Sequence, residues 1–464
     1  MSEPAAKPPA VNVSALIDSS PISALTYRVL ALTFLVTVTE GFEIAAAAHT
    51  APGIMNEWGL TRPQVAPIFS ATPLGMMAGA TIFGFLGDRL GRKVAILAAG
   101  ALFALTSLLC AAAPDLGILV GLRFMMGVAA GALMTNNIAL IAEFAPARRR
   151  AAFVMIVAMG MTIGGLVVAL TSSMLETRQW RLLYLIGGVC SLAMLPALAA
   201  WLPESIKFLV LRNGSDPRAR ALVSKLAPKA ALNDGAPLVI NEGPANGKAS
   251  FAMIFAGKLA ILTPLIWLII IAIQSVNVGL TSWLPTVMQQ DNAMSVHASA
   301  ITISMFYVGG ILGSLTIGRA MDRFGFVVLT GSFLLSIPAV LMIGLQDAPQ
   351  WLRMLGMFLT GYAVLGTQLG SNTVSIFYPP AFRAIGYGTA TAVGRIGGIG
   401  GPLVFAALMA WGLTLQEVLL APAIALFLGA IAVVLVSLVS TGRLIGSTMK
   451  EVGVPNPTPR GAHE

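Results

Sequence analysis

Charge is scarce in this chain. Only 10% of its 464 residues are Asp, Glu, Lys or Arg, against roughly 25% in a soluble domain, so water cannot solvate most of its surface. Cysteine is scarcer still. Cys110 and Cys190 are the two in the chain, and both sit in apolar runs, which argues against a disulfide framework or a thiolate metal site. Alternating ten-residue strands are absent, which argues against a membrane β-barrel. No phosphate loop, metal-ligand cluster or nucleophile–base pair is visible. That disfavours an enzyme and ATP-driven work, and predicts no cofactor and no metal.

Apolar residues make up 57% of the chain, with mean hydropathy +0.85. Apolar runs near 20 residues recur from end to end, the signature of a polytopic α-helical membrane protein in a lipid bilayer. The pattern predicts spans near 24–48, 63–86, 94–113, 117–143, 151–174 and 182–202. A second set follows near 259–288, 298–318, 326–345, 351–377, 384–411 and 417–440. The first run lacks a small-residue cleavage pattern and reads as a retained span. A net charge of +9 could suggest nucleic acid, but its distribution says otherwise. Of 28 Lys and Arg, four (Arg62, Arg178, Arg181, Arg353) fall on one side and two (Arg123, Arg395) deep within spans, leaving 22 on the other, with Arg28 counted there at the start of the first span. The positive-inside rule then predicts both termini in the cytoplasm and no nucleic-acid partner.

The chain also repeats itself. Gly75, Gly79, Gly84, Asp88-Arg89 and Gly91 return as Gly309, Gly313, Gly318, Asp322-Arg323 and Gly325, each pair 234 positions apart, as from 75 to 309. Such self-similarity points to two copies of one unit. The expected division is a cytoplasmic arm (1–23), a six-helix bundle (24–202), a polar cytoplasmic linker (203–258), a second six-helix bundle (259–440) and a cytoplasmic tail (441–464).

The stretch Gly-x-x-x-Asp-Arg-x-Gly-Arg-Lys between spans 2 and 3, echoed between spans 8 and 9, resembles the major facilitator superfamily. The second copy departs at its end, where Phe326 and Val327 replace the basic pair. The resemblance implies twelve transmembrane helices in two pseudo-symmetric halves, and a gate. Asp88, Arg89, Arg92, Asp322 and Arg323 would form it, with acids such as Glu143 pairing the arginines. A finer resemblance is to the aromatic acid:proton symporters of that superfamily. It rests on Gly41-Phe42-Glu43, Ala51-Pro52, Glu57-Trp58-Gly59-Leu60, Pro203-Glu204-Ser205, Trp283-Leu284-Pro285-Thr286, Tyr378-Pro379, Arg383, Gly386 and Gly394-Arg395-Ile396-Gly397. That family has Asp-Gly-Phe-Asp in span 1, where this chain carries Glu40 and Glu43.

The same positions stand out without the family. A charge inside a span costs at least ~2.5 kcal/mol and marks a functional candidate. Glu40 and Glu43, three apart, share a helix face, and Arg123 enters span 4 from the opposite side to a similar depth. A carboxyl group beside an arginine, in a cavity alternately wet and dry, suits proton coupling; the alternative is a static buried ion pair. Arg395 lies ~18 Å along span 11 from Arg383, near the bilayer midplane. Its fork suits a carboxylate, either a substrate's or an acid on another helix. Gln368 and Asn372, Gln274 and Asn277, and Asn137 place polar groups at similar depth. Trp283, Phe306, Tyr307 and Tyr378 are aromatic candidates for stacking on a ring or packing at an interface. His49 could join a proton path or be a bystander.

Composition and spacing support an anion-competent transporter; the resemblance adds import of a small aromatic carboxylate with protons by alternating access, in the inner membrane, by a monomer. A carrier for another organic anion, or an efflux antiporter, is the nearest alternative. A non-transporting receptor for aromatic acids is the alternative of another class, and it would be expected to carry a signalling domain.

Overall fold

In hydrocarbon every backbone N–H and C=O must be paired within its own segment, so long apolar runs fold as helices. The computed structural model describes residues 10–228, 236–240, 251–291, 294–345, 347–371, 378 and 383–440. In chain order its long helices are α1 (Ala24–Trp58), α2 (Arg62–Leu90), α3 (Arg92–Ala111), α4 (Leu116–Phe144), α5 (Ala147–Ser172), α6 (Trp180–Trp201), α7 (Leu259–Gln290), α8 (Val296–Phe324), α9 (Val327–Ile343), α10 (Gln350–Ser371), α11 (Arg383–Ala410) and α12 (Leu420–Ser440). Ten of these regions are long and apolar enough to cross a membrane; the other two are α9, with 17 residues, and α10, with 22. The expected twelve-helix, two-by-six architecture is what the structure has.

The first helix runs ten residues beyond the expected span. Its extra turns carry buried Ala51, Pro52, Ile54 and Met55, and it stops where Gly59 takes a left-handed φ of 64° and donates to the Met55 carbonyl, a glycine C-cap. Thr61 and Gln64 then form a capping box that starts α2.

The chain divides into two compact units, Met1–Gly243 with Ala293–Ala300, and Pro244–Asn292 with Ile301–Glu464. In the first, α2 packs on α4 at glycines. A Cβ added at Gly75 would meet the Phe124 carbonyl oxygen, at Gly79 that of Val128, and at Gly127 that of Thr72. In the second, α8 packs on α10 in the same way: Gly309 on Phe358, Gly313 on Tyr362 and Gly361 on Phe306. Each glycine and each partner lies 234 positions from its counterpart, as 124 does from 358, so the repeat extends to the packing. Small residues let membrane helices approach backbone to backbone.

The arm before α1 is more ordered than its composition suggests. Val11 and Asn12 pair in parallel with Leu238 and Val239. Asn12 caps a short helix, Val13–Ser19, and Val13 and Ile17 are buried. Asp18 accepts from the Ala147 N–H at 2.7 Å, capping α5 from outside its own helix. The linker likewise contains helices Ile206–Arg212 and Pro217–Leu226; their buried Leu209, Ala219 and Val223 give these polar stretches an apolar face to fold around.

Candidate functional site

In the first unit Glu43 and Arg123 meet where α1, α3, α4 and α6 come together, with Glu40 one turn before Glu43 on α1. Glu40, Glu43 and Arg123 are each at most 1% exposed. Burial of a charge demands partners, and the partners differ. Arg123 donates from Nη1 to the main-chain carbonyl of Glu43 at 2.8 Å and from Nη2 to that of Ile44 at 3.3 Å; its Nε has no hydrogen-bond partner among the described residues. It forms no ion pair among the described residues. Its guanidinium carbon lies 5.9 Å from the Tyr184 ring centroid. Glu43 Oε1 accepts from the Ser107 hydroxyl, while Glu43 Oε2 and both carboxyl oxygens of Glu40 have no hydrogen-bond partner among the described residues.

Sequence reasoning missed Ser107, Tyr184 and Gly187. Ser107 also reaches the Tyr184 carbonyl at 2.8 Å, the Tyr184 hydroxyl meets Thr50 at 3.1 Å, and a Cβ on Gly187 would collide with the Glu43 carboxylate. A serine and a glycine inside apolar runs give no signal of this in one dimension. His49 bonds Ser172 of α5 at 2.9 Å. Asn137 is fully buried, and neither atom of its amide has a hydrogen-bond partner among the described residues. It lies on the Arg123 face of α4 but fourteen residues on, ~21 Å along the axis, so the structure does not bring the two together.

At the α2–α3 junction, Arg92 is the hub. It pairs with Asp88, donates to Asn136 at 3.1 Å and lies 3.9 Å from Glu143. Glu143 in turn accepts from Ser205. Glu204 accepts from the Lys93 N–H at 3.0 Å, and its carboxylate fills the place a Cβ would take on Gly91, whose φ is 101°. Only glycine fits there. Arg89 makes no acid contact among the described residues and stacks on Phe85 of its own helix, 4.1 Å from the ring centroid.

In the second unit, Asn277 donates to Gln368 at 3.0 Å, tying α7 to α10. Gln274, one turn before Asn277 on α7, faces α11 beside Gly394, where an added Cβ would lie 3.6 Å from its Cγ. Arg395 follows Gly394 and is half-buried. Trp283 is 1% exposed and donates its indole N–H to the Pro402 carbonyl at 2.8 Å, a packing tie between α7 and α11. Tyr307 and Phe306 meet edge to face with centroids 5.6 Å apart. The Tyr378 hydroxyl reaches Thr263 at 3.2 Å. Arg323 lies over Phe324. Asn372 and the side chain of Asp322 lie outside what the structure describes.

A family model described as Major Facilitator Superfamily matches residues 33–296. The 4-hydroxybenzoate transporter PcaK of Pseudomonas putida is 32% identical over 437 residues, covering 93% of this chain and 96% of that protein. A gallate transporter of the same species is also 32% identical, over 88% of this chain and 92% of its own length. Among solved structures, the xylose transporter XylE from E. coli aligns with a TM-score of 0.69 at 17% identity, covering 90% of this chain and 97% of that one; that likeness is one of fold. With the family model covering more than half of the residues and the relatives matching almost end to end, the chain belongs to the major facilitator superfamily.

Proposed function

We propose that this protein imports a small aromatic carboxylate together with protons across the inner membrane, by alternating access. It is a transporter rather than an enzyme, as are the relatives it matches, which are named for 4-hydroxybenzoate and gallate. Those names support a ring-bearing carboxylate as cargo. The proton part rests on one observation: Glu40 is fully buried with neither oxygen hydrogen-bonded among the described residues. A proton taken up there removes a charge that no neighbour among the described residues offsets.

In this reading Arg123 and Arg395 face the substrate carboxylate, each with a planar fork suited to it. Gln274, Asn277, Gln368 and Asn372 supply hydrogen bonds to ring substituents, while Asn137, ~21 Å along α4 from Arg123, is left out of the site. Tyr307 and Trp283 shape the apolar surround. Glu40 and Glu43 carry protons, and Asp88, Arg89, Arg92, Glu143, Asp322 and Arg323 form the gate. The two six-helix halves, 24–202 and 259–440, work as the moving bodies of a monomer with both termini in the cytoplasm. A proton entering with a monoanion makes import electroneutral, which removes a penalty of ~2.3 kcal/mol per charge per 100 mV.

The test is uptake of radiolabelled 4-hydroxybenzoate into right-side-out vesicles with and without an inward proton gradient. Accumulation that requires the gradient supports symport. Binding without accumulation under any gradient would sink it in favour of a receptor.

A further inference from the structure

We propose that Ser107 is a positioning residue that transmits the charge state of Glu43 to the contact between α3 and α6. The inference rests on the reading of Glu43 as a proton carrier. Its ground is hydrogen bookkeeping. Ser107 Oγ lies within hydrogen-bond reach of two acceptors at once, Glu43 Oε1 and, at 2.8 Å, the Tyr184 carbonyl. A hydroxyl has one hydrogen to donate. If Glu43 is ionised, the two acceptors compete for that hydrogen and one oxygen–oxygen contact is left without any. If Glu43 carries its proton, the carboxyl donates to Ser107 Oγ and Ser107 donates to the Tyr184 carbonyl, and both contacts are satisfied.

The two states therefore differ in what α3 holds. On loss of the proton the serine hydroxyl turns to the carboxylate, because a bond to an ionised acceptor is about twice as strong as a neutral one. The Tyr184 carbonyl keeps its partner within α6 but loses its tie to α3. The carboxyl cannot back away from this choice. It sits in a notch on α6 that exists because Gly187 has no Cβ, and Arg123 pins the main-chain carbonyl of the same residue. The groups facing it are Arg123 from α4, Cys110 from α3 and Tyr184 from α6. Against this stretch of α1, α5 presents Gly164.

The role separates from plain packing by comparing exchange with net uptake. Exchange of external for internal 4-hydroxybenzoate returns the carrier still protonated, so it does not need Glu43 to release its proton; accumulation driven by a gradient does. In proteoliposomes Ser107→Ala is expected to exchange within about twofold of wild type while accumulation falls about tenfold, the size of one hydrogen bond to a charged group. Ser107→Thr, which restores the hydroxyl, is expected to recover accumulation. In pH-difference infrared spectra, the carboxyl band that Glu43→Gln removes should move in Ser107→Ala and return in Ser107→Thr. Equal loss of exchange and accumulation, unaltered accumulation, or an unmoved band would overturn the assignment. Should Ser107→Ala fail to reach the membrane, Ser107→Cys carries the same test, its thiol being a weak donor. If the wild type does not accumulate 4-hydroxybenzoate, symport fails as a reading, and the infrared comparison, which needs no substrate, still decides the role of Ser107.

Discussion

Arg123 grips Glu43 by its main-chain carbonyl, at 2.8 Å, and leaves the carboxyl group to Ser107. The cation is thereby anchored to α1 through an atom that no side-chain substitution removes, whatever the charge on Glu43. A guanidinium buried at 1% exposure without an ion pair among the described residues retains charge that a substrate carboxylate can use. Arg123→Lys keeps the charge but not the fork that spans the Glu43 and Ile44 carbonyls. We expect at least a tenfold loss of 4-hydroxybenzoate uptake, with a larger loss in Arg123→Ala, since one charge-assisted hydrogen bond is worth about 1.5–3 kcal/mol. Initial uptake rates, normalised to protein in the membrane, check this.

Glu40 is expected to respond differently from Arg123. A glutamine there preserves shape but cannot gain or lose charge, and the position has no hydrogen bond among the described residues to break. Glu40→Gln should therefore fold and exchange substrate while gradient-driven accumulation drops to the level of vesicles lacking the protein. Measuring exchange and accumulation on one preparation tests the pair of outcomes; full accumulation in the variant would remove Glu40 from the proton path.

The packing glycines allow a prediction about stability. A methyl group on Gly79 meets the Val128 carbonyl oxygen, backbone that cannot swing aside, whereas on Gly84 its nearest neighbour is a Thr135 methyl at 3.7 Å. Overpacking costs about 1–3 kcal/mol, so Gly79→Ala should unfold at a lower temperature than wild type in detergent. Gly84→Ala, gaining helix propensity without a clash, should match or exceed wild type. Both glycines belong to one motif, and a purely sequence-based account would give them the same effect.

That contrast also marks how far the sequence could be read. The twelve helices and their two-fold repeat follow from apolar runs and from six matched positions, because a span must satisfy its own backbone and small residues must recur where helices touch. The repeat is even more complete in space, yet it conceals an exchange. Gly131 of α4 approaches the Met76 carbonyl, while its counterpart in the second half, Leu365, is the bulky partner of Gly310. The small and large residues have traded helices, which no matching of like with like reveals. The buried charges were legible as candidates because charges in lipid are costly. Their partners were not, since Arg123 bonds to carbonyl groups that every residue has, and Ser107 is a small hydroxyl that most often bonds its own helix.

Arg92 and Asp88 look equivalent as a motif pair but are not equally placed. Asp88 has 68% of its side chain exposed, Arg92 14%, and Arg92 also holds Asn136 and Glu143. An exposed ion pair is worth about 0–1 kcal/mol. Asp88→Asn should leave thermal unfolding within about 0.5 kcal/mol of wild type and slow uptake if the residue gates. Arg92→Ala leaves buried polar groups of α4 short of a donor and should cost about 1–3 kcal/mol. Unfolding curves for the two variants, set beside their transport rates, separate a gate from a brace.

Arg395 tests the substrate assignment most directly. It stands half-buried on α11, one residue past the glycine that lets α11 close on Ile270 and Gln274 of α7, in a stretch of helix with no acid of its own. A planar guanidinium recognises a carboxylate by two parallel hydrogen bonds, which an ammonium cannot reproduce. Arg395→Ala is expected to cut uptake of 4-hydroxybenzoate at least tenfold, to a residual rate that can still be inhibited, and Arg395→Lys to recover only part of the loss. Competition then isolates the contact. In wild type, 4-hydroxybenzoate should inhibit labelled uptake while 4-hydroxybenzamide, which keeps the ring and hydroxyl but lacks the charge, should not. If the arginine reads the carboxylate, any inhibition remaining in Arg395→Ala should be the same for both compounds. Retained preference for the acid in that variant would instead place the recognition on Arg123, and the two arginines would exchange roles.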